Sequence, residues 1–167
     1  MKKLQSLRDH LLKAIPELAQ NPDRILVFAD NGNVRSTLAN GLSFEYVYTA
    51  SLVLVDFAGD LAAVSIPVLD WVRIHQPELM SNLDKANEAI KFEAEIKTND
   101  KVDLGIELAL TERVIVKRDG GNLSIDYPAE PTYEKAAAST LVTLIDNATG
   151  QTLASWQSRD PEEQYFL

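Results

Sequence analysis

Residues 43–60 read SFEYVYTASLVLVDFAGD, and the reading of this stretch decides the fold. Strands in soluble proteins average about five or six residues, whereas roughly fifteen here run with no breaker before Gly59. Phe44, Tyr46 and Tyr48 fall on one face, and Ser43, Glu45, Val47 and Thr49 on the other, so the first half predicts a one-sided strand. The following LVLV is apolar on both faces, as in a strand covered on both sides. A strand this long either bends around one barrel-like core or runs past its core and offers backbone and side chains to a neighbouring subunit.

Towards the N-terminus, Leu4, Leu7, Leu11, Leu12, Ile15 and Leu18 recur at three- and four-residue spacing and predict one amphipathic helix, broken at Asn21-Pro22. ILVFADNG then predicts a short strand closed by a turn at Asn31-Gly32. Towards the C-terminus, residues 61–76 carry a helical apolar pattern with Asp60 as its cap. Pro67 is either a kink or a first-turn residue of a helix starting near Ser65. Residues 81–89 form a polar loop or short helix, after which IKFEAEIK alternates strictly and predicts a strand with one wet face.

Alternation from Val102 towards Val116 predicts a second long strand, and LSIDY returns after a turn at Asp119–Asn122. The last three of these strands read as an antiparallel meander. Pro128–Pro131 reads as an extended linker, and LVTLI and TLASW flank residues 146–150 as a terminal hairpin. An isolated hairpin is marginal in water, so this one must dock on its own domain or on another subunit. The expected fold class is α+β: a mostly antiparallel, long-stranded sheet packed against two main helices, with a C-terminal hairpin. Residues 1–127 form the α+β domain and 128–167 the linker and hairpin extension.

Composition narrows the function. The 167 residues are enough to enclose one core, and 46% hydrophobic with 25% charged residues is a globular balance. A net charge of −9 repels phosphate backbones and anionic lipid, so neither nucleic acid nor membrane is an expected partner. No apolar run approaches the roughly 20 residues of a bilayer span, and charges interrupt the N-terminal stretch too early for a secretion signal. The absence of cysteine removes thiolate chemistry and fits the cytosol.

The search for chemistry comes back empty. His10 and His75 lie on separate predicted helices without metal-ligand spacing. Residues 99–103 lack the spacing and closing glutamate of a calcium loop. The turns at 30–33 and 119–122 have neither a Walker lysine nor a GxGxxG spacing, and each carries an aspartate that repels phosphate. Ser51 and Ser65 have no nucleophile elbow or neighbouring histidine. Neither a cofactor nor an enzymatic activity is expected, and a binding or assembly role follows. One reading of another class stays open: a small-molecule module with an apolar pocket between the sheet and the helix at 61–76.

Three blocks carry a family resemblance: DNGNVRSTLANGLSFEYVYTASLVLVDFAGD at 30–60, PVLDWVRIHQPELM at 67–80 and LGIELALTERVIV at 104–116. Together they resemble the tail completion protein R family of contractile-tailed bacteriophages and prophages, over roughly residues 5–118. The resemblance implies a tail-terminator-like α+β subunit and a late step of tail assembly. A homo-oligomeric ring, often a hexamer, would cap the finished tube and sheath and prepare the end that meets the head-tail connector. The implied location is the bacterial host cytoplasm during assembly, and then the head-proximal end of the virion tail.

Position and polarity, not the resemblance, nominate interface residues. They are Asn31, Arg35 and Asn40 in the loop region after the first strand, Tyr46 and Tyr48 on the long strand, Asn82, Lys85 and Glu88 in the polar stretch, and Trp156 on the terminal hairpin. Trp71 lies on an apolar helical stripe and is expected in the core.

Overall fold

The computed structural model describes residues 1–36, 41–81, 83–97, 100–131 and 139–159. Its first helix is shorter than the apolar period suggested. Helix α1 covers Lys2–Ala14, Ile15 is extended at φ −106°, and α2 covers Pro16–Gln20. Pro16 is the cause, because its ring disfavours a helical conformation for the residue before it. A single 3₁₀ turn, Pro22–Arg24, leads into β1 at Ile25–Ser36.

Asn31-Gly32 does not end that strand. β1 pairs antiparallel with β2, Phe44–Phe57, on both sides of the pair, and the register slips between Asp30 and Asn33. Two residues of β1 therefore face Tyr48 alone, which is a β-bulge, with Asn31 at φ 51°. Asparagine tolerates the left-handed region better than most residues, so the local signal for a turn was real, but pairing with β2 absorbed it. A second bulge interrupts β2 near its end, where Asp56 has φ 53° and Asp103 Oδ1 accepts its amide proton at 2.8 Å. Lys97 Nζ lies 2.8 Å from both carboxylates and draws them together.

Helix α3, Ala62–His75, has Asp60 Oδ1 accepting from the Ala62 amide at 2.8 Å, so Asp60 caps it as expected. Pro67 falls inside this helix. Short helices α4, Glu78–Ser81, and α5, Leu83–Ala89, lead to β3 at Ile90–Ile96. The second long strand, β4, spans Val102–Asp119, and Gly120 at φ 58° turns it into β5, Asn122–Asp126. The hairpin of β6, Ser139–Ile145, and β7, Thr152–Arg159, forms its own two-stranded sheet.

The main sheet runs β1-β2-β4-β3, with β5 added to the far part of β4. β2 pairs with β4 along residues 102–114, β3 takes β4 residues 102–108 and β5 takes 115–119. The Val116 amide donates to Ser43 Oγ beside β2, whereas the Thr111 amide donates to the Gln76 side chain. Alternate residues of a strand present their amides to opposite edges, so the odd-numbered residues of β4 face away from β2. β3 and β5 therefore lie end to end along one edge of β4, with Gln76 between them. A meander would have put them on opposite edges.

The core lies on one face of this sheet. Leu52 and Leu54 of β2, with Leu104, Leu108 and Leu110 of β4, are fully buried with Leu7, Leu11, Val64, Val68 and Trp71 of the helices. These side chains pack against one another between the helices and the sheet. On the other face Val53 and Val55 remain half-buried, so the two-sided LVLV run has one full cover and one partial.

Candidate assembly surfaces

Three polar groups inside the fold fix its parts to one another. The apolar alternation of β4 brings Glu112 onto the core face, where it is 3% exposed. It is satisfied by the start of α1: its two carboxylate oxygens accept the amides of Lys2 and Lys3, each at 2.8 Å. Helix α1 has no side-chain cap of its own and no acidic residue in its first turn, so Glu112 neutralises the amide-rich, positive end of that helix. The Tyr48 hydroxyl donates to the same carboxylate at 3.3 Å. Burial first, and then the Glu112 charge, raise the Tyr48 pKa above its ordinary value.

Gln76, just past α3, is fully buried and accepts from Lys3 Nζ at 2.7 Å, while its own amide nitrogen donates to Thr111 Oγ1 at 3.0 Å. It thus holds the part of the β4 edge that no strand pairs with. Asp70, on α3, accepts from the Trp156 indole at 2.9 Å and from Ser158 at 2.8 Å, and pairs with Arg73. With Ala154 fully buried and Trp156 nearly so, this contact docks β6-β7 on the chain's own helices. Trp71 stacks on His75 at 4.6 Å between ring centroids and donates to Ser6. Burial, reinforced by Lys3 and His10, lowers the His75 pKa to about 4, and burial lowers that of His10 as well.

The residues nominated from sequence separate into three groups by burial, with three more outside the described residues. Asn31, Arg35 and Glu88 are exposed, and Arg35 pairs with Glu45 across the β1-β2 hairpin. Tyr46 is half-buried and packs edge-on against Phe44 at 4.9 Å. Tyr48 and Trp156 are enclosed, because Glu112 and Asp70 draw their polar ends inward. Asn40, Asn82 and the side chain of Lys85 lie outside the described residues. Asn31, Arg35, Tyr46 and Tyr48 all lie on the paired strands β1 and β2. Sequence reading passed over Glu112, although a charge at the fifth position of the series 104, 106, 108, 110, 112 was a visible break in an apolar face. It also passed over the apolar residues that the fold leaves uncovered at either end of β4.

Among the described residues no cluster of histidine and carboxylate side chains is placed to hold a metal ion, and no helix is long and apolar enough to cross a membrane. The model of the family described as P2 phage tail completion protein R (GpR) matches residues 1–131. The chain belongs to that family. Tail completion protein R of Escherichia phage P2 is 35% identical over 156 residues, covering 93% of this chain and 99% of that protein. No solved structure matches. The family match takes in the whole sheet and both main helices, including Glu112, Asp70 and Gln76, and stops before the β6-β7 hairpin.

Proposed function

We propose that the protein is a structural tail completion protein, which assembles as a ring on the finished tail tube and sheath of a contractile-tailed phage or prophage. The observation that supports this reading is the identity to a tail completion protein across nearly the full length of both chains. A ring of this kind works by binding and not by catalysis. One face matches the last tube ring, and the other presents nothing on which a further tube ring can form, so growth stops. That free face then meets the head-tail connector. A homo-oligomer, with six copies as the expected number, completes its ring in the host cytoplasm and remains at the head-proximal end of the tail.

The exposed residues Asn31, Arg35 and Glu88 are the proposed contacts with tube or sheath. The test is tail yield from a prophage carrying Arg35→Glu in this chain, alongside the melting temperature of the purified variant. The reading expects an unchanged melting temperature and fewer finished tails. Undiminished yield would remove the β1 end from the contact surface, and normal tails from a prophage lacking the protein would overturn the function itself.

A further inference from the structure

Ile66, Leu69, Asp70 and Arg73 fall on one face of α3, since residues three and four apart on a helix are neighbours. Asp70 and Arg73 hold the hairpin, whereas Ile66 and Leu69 remain more than a third exposed, as does Met80 on α4. These side chains and the helix-side residues of the hairpin border a groove of about 340 Å³. The groove has a direction. Ser158 lies at one end, 3.4 Å from Arg73. Val142 pairs with Trp156 and Leu144 with Ala154, so the lining turns apolar along the hairpin away from Ser158. From Ser158 back to Ala154 is about 13 Å at the usual rise of a strand. The chain leaves the described residues at Arg159, one residue past Ser158.

We infer that residues 160–167 of the same chain, DPEEQYFL, fold back into this groove and strap the hairpin to α3. Asp160-Pro161 places aspartate and proline at the first two positions of a type I turn, and Pro161 has no amide proton with which to continue the β7 ladder. A turn over 160–163 sends the chain back along the hairpin. The residues from Glu163 to Leu167 then span about 16 Å at the usual rise, enough to follow the groove from Ser158 to the level of Ala154. Polarity follows the same order. Glu163 comes first, beside Arg73 and Ser158, and Tyr165, Phe166 and Leu167 come last, over Leu69, Val142 and Leu144. Taking those apolar surfaces out of water drives the docking. Tethering decides the occupant: a segment that starts beside the groove has a high effective concentration there, so the same segment of another copy competes at a disadvantage. The inference goes beyond the tail reading and does not rest on it.

The chain has no cysteine, so a disulfide between two introduced cysteines reports one proximity only. The full chain carrying Leu69→Cys/Phe166→Cys is oxidised under mild conditions and followed on non-reducing gels. Two references accompany it: the same pair with Tyr165→Ser added, and the pair Leu26→Cys/Phe166→Cys. Leu26 pairs with Val53, on the sheet face away from the helices. Circular dichroism checks that each variant is folded. The expected result is rapid closure within one chain of 18.5 kDa and no closure to position 26. Tyr165→Ser should slow closure to position 69 at least about tenfold, the change that losing one buried apolar side chain carries. Equal rates with and without Tyr165→Ser would show a segment that is tethered but undocked, and would overturn the inference. Disulfides that join two chains would also overturn it and give the groove to a second copy. A single Leu69→Cys shielded from a thiol reagent only when tail tube protein is added would overturn it in favour of that partner. None of these outcomes touches the tail reading, which stands or falls by tail yield.

Discussion

The middle of β4 and its two ends have the same alternating sequence and different surroundings. Between Leu104 and Leu110 every second side chain is buried under α1 and α3, whereas Phe92 on the neighbouring edge strand beside Ile106, Ile96 beside Val102, and Leu123 and Ile125 beside the far end share that face and remain exposed. Alternation determines which face a side chain takes, while cover depends on how far the helices reach. An apolar face that the chain itself does not cover is what a subunit needs if it is to be completed by another.

The largest way to break this comparison is to empty the covered part. Leu108→Ala, at a fully buried site, should cost about 2–5 kcal/mol in urea unfolding. Next comes the join between helix and sheet: Glu112→Gln removes the charge that receives two helix amides and should cost about 2–3 kcal/mol by the same measurement. An unaltered midpoint there would show that α1 is held by its apolar face alone. A smaller effect comes with pH. His75 has its pKa depressed by burial, so the neutral ring favours the folded state. That contribution is complete above the ordinary value of 6.5 and is lost as pH falls from 6.5 through about 4. Melting temperatures measured over that range should fall less steeply for His75→Gln than for wild type. The smallest effect is expected at the uncovered end, where Leu123→Ala should change the stability of the dilute monomer by no more than about 0.5 kcal/mol. A cost close to that of Leu108→Ala would mean that this end is covered within the monomer.

Local patterns made the two long strands, α3 with its Asp60 cap, and the terminal hairpin legible in sequence, because each depends on neighbours two to four residues away. Where the reading failed, a distant partner or an unweighed proline was at work. The bulge at Asn31-Gly32 exists because β2 pairs on both sides of it, and a window of β1 alone contains only the turn signal. IKFEAEIK reads as a strand with one wet face, but the structure exposes both faces of β3, because how far α1 and α3 extend over its apolar side is a matter of packing. The break at Ile15 was readable from Pro16 and was hidden by an apolar period that continues through it. Glu112 and Lys2 are 110 residues apart in the chain, and Trp156 and Asp70 are 86 apart, so no spacing rule joins them.

The Glu112 contact also bears on the order in which the protein is made. Helix α1 leaves the ribosome before β4, and its N-terminal amides find their acceptor on that strand, more than a hundred residues later. At typical elongation rates that is a wait of about 5–20 s. During it the helix has neither a cap of its own nor the β4 strand to lie on, and short isolated helices are marginal in water. Lys2 and Lys3 are thus translated well before the residue that receives their amides.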